Sequence, residues 1–97
     1  MATLDDILTT LRADMGALRQ EYGVRSLQVF GSYVRGEQRA HSDLDILVEF
    51  ERTPTFFEFV RLERRLSQRL GVKVDLVMKT ALKPTIGRYI LAEAVPV

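Results

Sequence analysis

The stretch VFGSYVRGEQRAHSDLDILVEF, Val29 to Phe50, decides the fold of this chain. A short apolar run ends at Phe30 and is followed by Gly31-Ser32. Ten residues then separate Ser32 from Asp43-Leu44-Asp45, which opens a second apolar run. From Asp43 to Phe50 the pattern alternates strictly. Leu44, Ile46, Val48 and Phe50 face one way, and Asp43, Asp45, Leu47 and Glu49 face the other. Such alternation predicts a strand with one face on a core. Two acids on one side of an otherwise apolar strand are costly unless they are used.

Working outward, Leu4, Ile7, Leu8, Leu11, Met15 and Leu18 recur at helical spacing. Thr3 suits the cap of that helix, Asp5 and Asp6 its first turn, and Tyr22-Gly23 its end. Leu27 to Phe30 reads as a short strand, and Gly31 to Gly36 as a turn with one or two helical turns. Thr55 and Glu58 form a capping box for a helix striped by Phe56, Phe59, Leu62, Leu66 and Leu70. Val72 to Met78 alternates again, with Asp75 on its polar face. Pro84 opens a last helix through about Ala94. The order predicts an α/β (α+β) fold: a small mixed sheet of three to four strands, helices packed on one face, and the aspartates on the partly open face.

The 97 residues point to a single domain, 1–97, with a modest core. A formal charge of +1 gives no global grip on polyanions, so direct nucleic-acid binding is not expected. Arginine nevertheless outnumbers lysine 11 to 3, which leaves local phosphate contacts open. There is no cysteine, no basic leader and no apolar run of membrane-spanning length. The expectation is a cytoplasmic protein that avoids the membrane.

Asp43 and Asp45 point the same way, and if the second and third strands are neighbours Asp75 joins them. Clustered carboxylates raise a pKa or demand a cation, and Mg²⁺ is the hard ion that takes carboxylate oxygens and leaves room for phosphate. Gly31 allows a phosphate to approach the backbone, a helix starting there offers free amides, and Ser32 adds a hydroxyl. Arg35 follows one helical turn later. Each piece alone has an ordinary reading: a turn, a solvated acid pair, or an exposed strand residue beside Lys73 or Lys79.

Gly31-Ser32, ten residues, then Asp43-Leu44-Asp45, with Arg35-Gly36 and Ser42 between, resembles the signature of the DNA polymerase β-like nucleotidyltransferase superfamily. Chain length, Val74-Asp75-Leu76-Val77 and the closing Leu82-Lys83-Pro84 and Glu93-Ala94-Val95 resemble its minimal nucleotidyltransferases (MNT). The resemblance implies that Asp43 and Asp45 bind two Mg²⁺ ions. Asp75 would bind the catalytic one and help deprotonate the attacking hydroxyl. Gly31 and Ser32 would hold the β and γ phosphates of ATP, with Arg35 and Ser42 in the nucleotide-binding set. It further implies an antitoxin that transfers AMP to a tyrosine hydroxyl of a HEPN-domain RNase toxin, in a hetero-oligomer with it. Two other readings stand beside this one: a non-catalytic antitoxin that occludes its toxin, and a small-molecule nucleotidyltransferase. His41 and Arg39 flank the motif without an assigned part.

Overall fold

A computed structural model describes residues 3–97. In chain order they form α1 (Leu4–Tyr22), β1 (Val24–Phe30), α2 (Ser32–Arg35), β2 (Leu44–Phe50), α3 (Phe56–Leu70) and β3 (Val74–Met78). A 3₁₀ turn (Lys79–Ala81), α4 (Pro84–Glu93) and β4 (Val95–Pro96) complete the chain. The four strands make one mixed sheet in the order β3-β2-β1-β4. β1 runs antiparallel to β2 and to β4, whereas β2 and β3 are parallel. A parallel pair needs a crossover, and α3 is that crossover.

The caps read from the sequence form as expected. The Thr3 hydroxyl accepts from the Asp6 amide while the Asp6 carboxylate accepts from the Thr3 amide. Thr55 and Glu58 repeat the arrangement at α3. A lost cap oxygen leaves an orphan amide, so Thr55→Ala is expected to lower the unfolding free energy by about 1 kcal/mol. Denaturant titration of both proteins measures it.

The core lies between α1 and α3 and one sheet face. Ile7, Leu8, Leu11 and Leu18 of α1 and Leu62 and Leu66 of α3 pack with Leu27 and Val29, with Leu44, Ile46 and Val48, and with Val74 and Leu76. This is the face that the alternation in β2 and β3 assigned to the interior.

Four expectations need correcting. β1 begins at Val24, three residues before Leu27, because Val24 pairs with Phe50 across an irregularity in register near Ser26. β2 and β3 begin at Leu44 and Val74, so Asp43 precedes its strand instead of lying within it. Phe56 does not join the stripe of α3; it is 74% exposed and packs edge-on against its equally exposed neighbour Phe57. The aspartate face is also less open than the alternation suggested. Leu47 and Phe30 on that face are buried, α4 meets β1, and the 3₁₀ turn meets β2. The strand β4, which pairs Gln28 with Pro96 and Val29 with Val95, was not legible: two residues carry no periodicity.

Candidate functional site

The parallel register sets Asp45 of β2 opposite Asp75 of β3, and the antiparallel register sets Phe30 of β1 opposite the same Asp45. Phe30 leads directly into Gly31. Three segments far apart in the chain therefore meet at one end of the sheet, with Asp43 a residue before β2.

Helix α3 braces the strand that carries Asp75. β3 is an edge strand, and its outward amides need partners. The Ser67 hydroxyl accepts from the Val74 amide at 3.0 Å, and Glu63 Oε2 accepts from the Leu76 amide at 2.8 Å. Both residues flanking Asp75 are thus tied to the helix, while Asp75 itself stays exposed.

The turn at Gly31 is equally specific. Its backbone has φ 82° and ψ −152°, a region that only glycine visits readily. A Cβ there would lie 2.2 Å from Asp45 Oδ2. The Asp45 carboxylate fills the space that a side chain at position 31 would take. α2 is a single turn, so its dipole is small. What it offers is the Ser32 hydroxyl and the amides of Ser32 and Tyr33, which come too early in the helix to have partners within it.

Two acids on the same strand face show what an acid needs here. Glu49 accepts from the Ser26 hydroxyl at 2.8 Å and from Lys79 at 3.4 Å, and these partners, Ser26 foremost, hold its carboxyl below the usual range. Asp45 has no such support. Burial first, then the charges of Asp75 and Asp43, push its pKa up to about 6, and Arg35 offsets only part of this. Asp43 lies 3.9 Å from Lys73 Nζ, an exposed pair worth little. Among the described residues, no three acidic or histidine side chains are drawn together tightly enough to form a finished metal cage. The donor set is nonetheless all oxygen and confined to one sheet end, and a dication would relieve the strain on Asp45. It fits Mg²⁺.

The remaining predicted residues are placed as follows. The Ser42 hydroxyl accepts from the Arg39 amide at 2.8 Å, and the Ser42 amide donates back to the Arg39 carbonyl, closing the loop that delivers Asp43. His41 is exposed in that loop and lines a cleft with Ser42, Asp43, Gly71, Val72 and Lys73. Arg35 Nη1 lies 3.0 and 3.1 Å from the two carboxylate oxygens of Glu93, and its Nε lies 3.4 Å from Glu37. Glu93 also accepts from the Gly31 amide at 3.0 Å. Glu93, which touches both Gly31 and Arg35 of the candidate site, was missed by local sequence reading. The only signal for it was its position in the closing segment of the resemblance.

Comparison with known proteins gives concordant findings. The nucleotidyltransferase domain family matches residues 15–97. The protein adenylyltransferase MntA of Thermococcus cleftensis is 50% identical over 95 residues, covering 98% of this chain and 96% of that protein. A solved structure provisionally assigned as a minimal nucleotidyltransferase superposes with a TM-score of 0.82 at 38% identity, covering 99% of this chain and 97% of that one. A chain from a complex of tri-AMPylated Shewanella oneidensis HEPN toxin with MNT antitoxin shares the fold. Its TM-score is 0.66 at 20% identity, over 93% of this chain and 70% of that one.

Proposed function

This chain belongs to the nucleotidyltransferase domain family, and from that premise we propose that it is an antitoxin that transfers AMP from ATP to a tyrosine hydroxyl of a HEPN-domain RNase toxin. The observation that carries the reading is the register pairing of Asp45 with Asp75 beside Gly31, in a chain half identical to a protein adenylyltransferase over nearly its whole length. That relative favours a protein acceptor over a small molecule, and the strained Asp45 has no use in simple occlusion. The proposal takes residues 1–97 as one domain and places it in the cytoplasm, where ATP is at hand.

Asp43, Asp45 and Asp75 would hold two Mg²⁺ ions, which supply charge neutralisation for the phosphates and for the departing pyrophosphate. The chain's own groups do the rest. Gly31 lets the Asp45 carboxylate pack against the turn, and Ser32 and Arg35 donate to the triphosphate oxygens. Ser42 holds the Asp43 loop in place. Asp75, exposed on the edge strand, accepts the proton of the acceptor phenol. The phenolate oxygen forms a bond to the α-phosphorus as the bond from that phosphorus to the β-phosphate oxygen breaks, and pyrophosphate leaves. Positioning accounts for most of the rate, since the protein forms no covalent bond with the nucleotide.

The test is incubation of the protein with α-labelled ATP, Mg²⁺ and its HEPN-domain partner. Label is expected on the partner, with loss of RNase activity, and Asp43→Ala is expected to cut labelling more than about 100-fold. Absence of label with wild-type protein, or full neutralisation by Asp43→Ala, defeats the proposal.

A further inference from the structure

Glu93 ends α4 and reaches back 62 residues to Gly31 and 58 to Arg35. One oxygen accepts from both the Gly31 amide and Arg35 Nη1, and the other accepts from Arg35 Nη1 as well. The carboxylate is half-buried, while Arg35 is nearly half exposed. An ion pair so open to water adds little to stability by itself. Its consequence is geometric. A free arginine side chain samples many rotamers, and one held by two oxygens samples few. The same carboxylate grips the amide of the residue whose turn abuts Asp45, so Arg35 is fixed relative to the Gly-Ser turn itself.

We propose that Glu93 is a positioning residue that holds the Arg35 guanidinium beside Gly31-Ser32 so that it meets the triphosphate of ATP preorganised. The proposal rests on the nucleotidyltransfer reading above, because it gives Arg35 an anionic ligand to meet. The opposite role is chemically coherent. Glu93 could be an internal anion that occupies Arg35 until a nucleotide displaces it. The two differ in sign. Removing a positioning carboxylate weakens nucleotide binding, whereas removing a competing anion strengthens it.

Glu93→Gln separates them. A glutamine oxygen still accepts from the Gly31 amide, but the side chain loses its charge, and Arg35 keeps only the longer 3.4 Å contact of its Nε with Glu37. Binding of a fluorescent ATP analogue with Mg²⁺ is measured on the full chain without any acceptor. Transfer to the HEPN-domain partner is measured in parallel. The expected result is a Kd raised roughly tenfold, the scale of one charge-assisted hydrogen bond. KM for ATP should rise alike, and kcat at saturating ATP should fall less than about threefold. Arg35→Ala should weaken binding to a similar extent, and Glu93→Gln in the Arg35→Ala background should add less than about twofold. Glu51→Gln, in an exposed pair with Arg25 away from the site, is the control and should leave binding unchanged. Unchanged or tighter binding by Glu93→Gln overturns the proposal, and so does full additivity with Arg35→Ala. If thermal melting shows that Glu93→Gln does not fold, Glu93→Asp carries the test, since it keeps the charge but shortens the side chain by one methylene and draws it back from Arg35 and Gly31; unchanged binding by that variant overturns the proposal. Wild-type protein that binds the analogue yet labels no acceptor would refute the antitoxin reading alone and leave this inference standing.

Discussion

Asp45→Asn is expected to make the metal-free protein more stable at pH 7 while abolishing AMP transfer. The folded-state pKa of Asp45 is raised from 3.8 to about 6, chiefly by burial and then by Asp75 and Asp43. A raised acid binds its proton more tightly in the folded chain than in the unfolded one. Below about pH 3.8 both forms are protonated and nothing is lost. As pH climbs from there to about 6, stability falls, and above 6 the full penalty persists. Asp45 is part-exposed, so solvent screening reduces the penalty to on the order of 1 kcal/mol. Asparagine has the same shape and no charge to bury. Its melting temperature at pH 7 should exceed wild type by roughly 4–8 °C, the shift that 1 kcal/mol produces in a domain of this size. The gap should close toward pH 4. Transfer should drop more than about 100-fold, because a metal-ligand carboxylate counts for more than the outer-shell groups whose loss costs 10–100-fold. Parallel melting profiles across pH, or substantial remaining transfer, would show that Asp45 is neither strained nor a ligand.

Gly31→Ala is expected to damage both stability and activity, for separable reasons. Its φ of 82° with ψ −152° is a conformation that costs a residue with a Cβ about 1–3 kcal/mol. The methyl would also fall 2.2 Å from Asp45 Oδ2, so the carboxylate must swing away. Swinging is cheap for a side-chain end and ruinous for a ligand. Transfer should therefore be lost even where the variant folds. Asp45→Ala in the Gly31→Ala background removes the clash and not the backbone strain, so it should recover part of the lost stability and none of the transfer. Gly36→Ala is a useful contrast. Its φ of 71° is also left-handed, but no atom lies within 4 Å of the added methyl, and only a modest stability loss of about 1 kcal/mol is expected. Differential scanning calorimetry with the labelled-ATP assay resolves the two effects. A Gly31→Ala protein with wild-type transfer would refute the close-approach role.

Much of the candidate site was legible because its parts are local. Gly31-Ser32 and Asp43-x-Asp45 sit in one run of sequence, and the alternation of Val72 to Met78 assigned Asp75 to the polar face, where the structure finds it exposed. Glu93 was not legible in this way. No local pattern marks a carboxylate that acts 62 residues from its own position. The exposure of Phe56 was hidden for a related reason: periodicity says which side of a helix is apolar, not how far along it the sheet extends.

Local sequence set the elements and their faces: the cap at Thr3, the capping box at Thr55, the core stripe of α1, the strand faces of β2 and β3, and the spacing of glycine, serine and acids. These are set by near-neighbour sterics and by 3.6- and 2-residue periods, which the chain carries wherever it folds. It took the folded chain to set β2 and β3 side by side in the register that faces Asp45 with Asp75, to pack Asp45 into the space left by Gly31, and to close Glu93 on Arg35. Register depends on how α3 crosses over the sheet and on which strands become neighbours. Long-range packing chooses these among arrangements that local propensity leaves equally open.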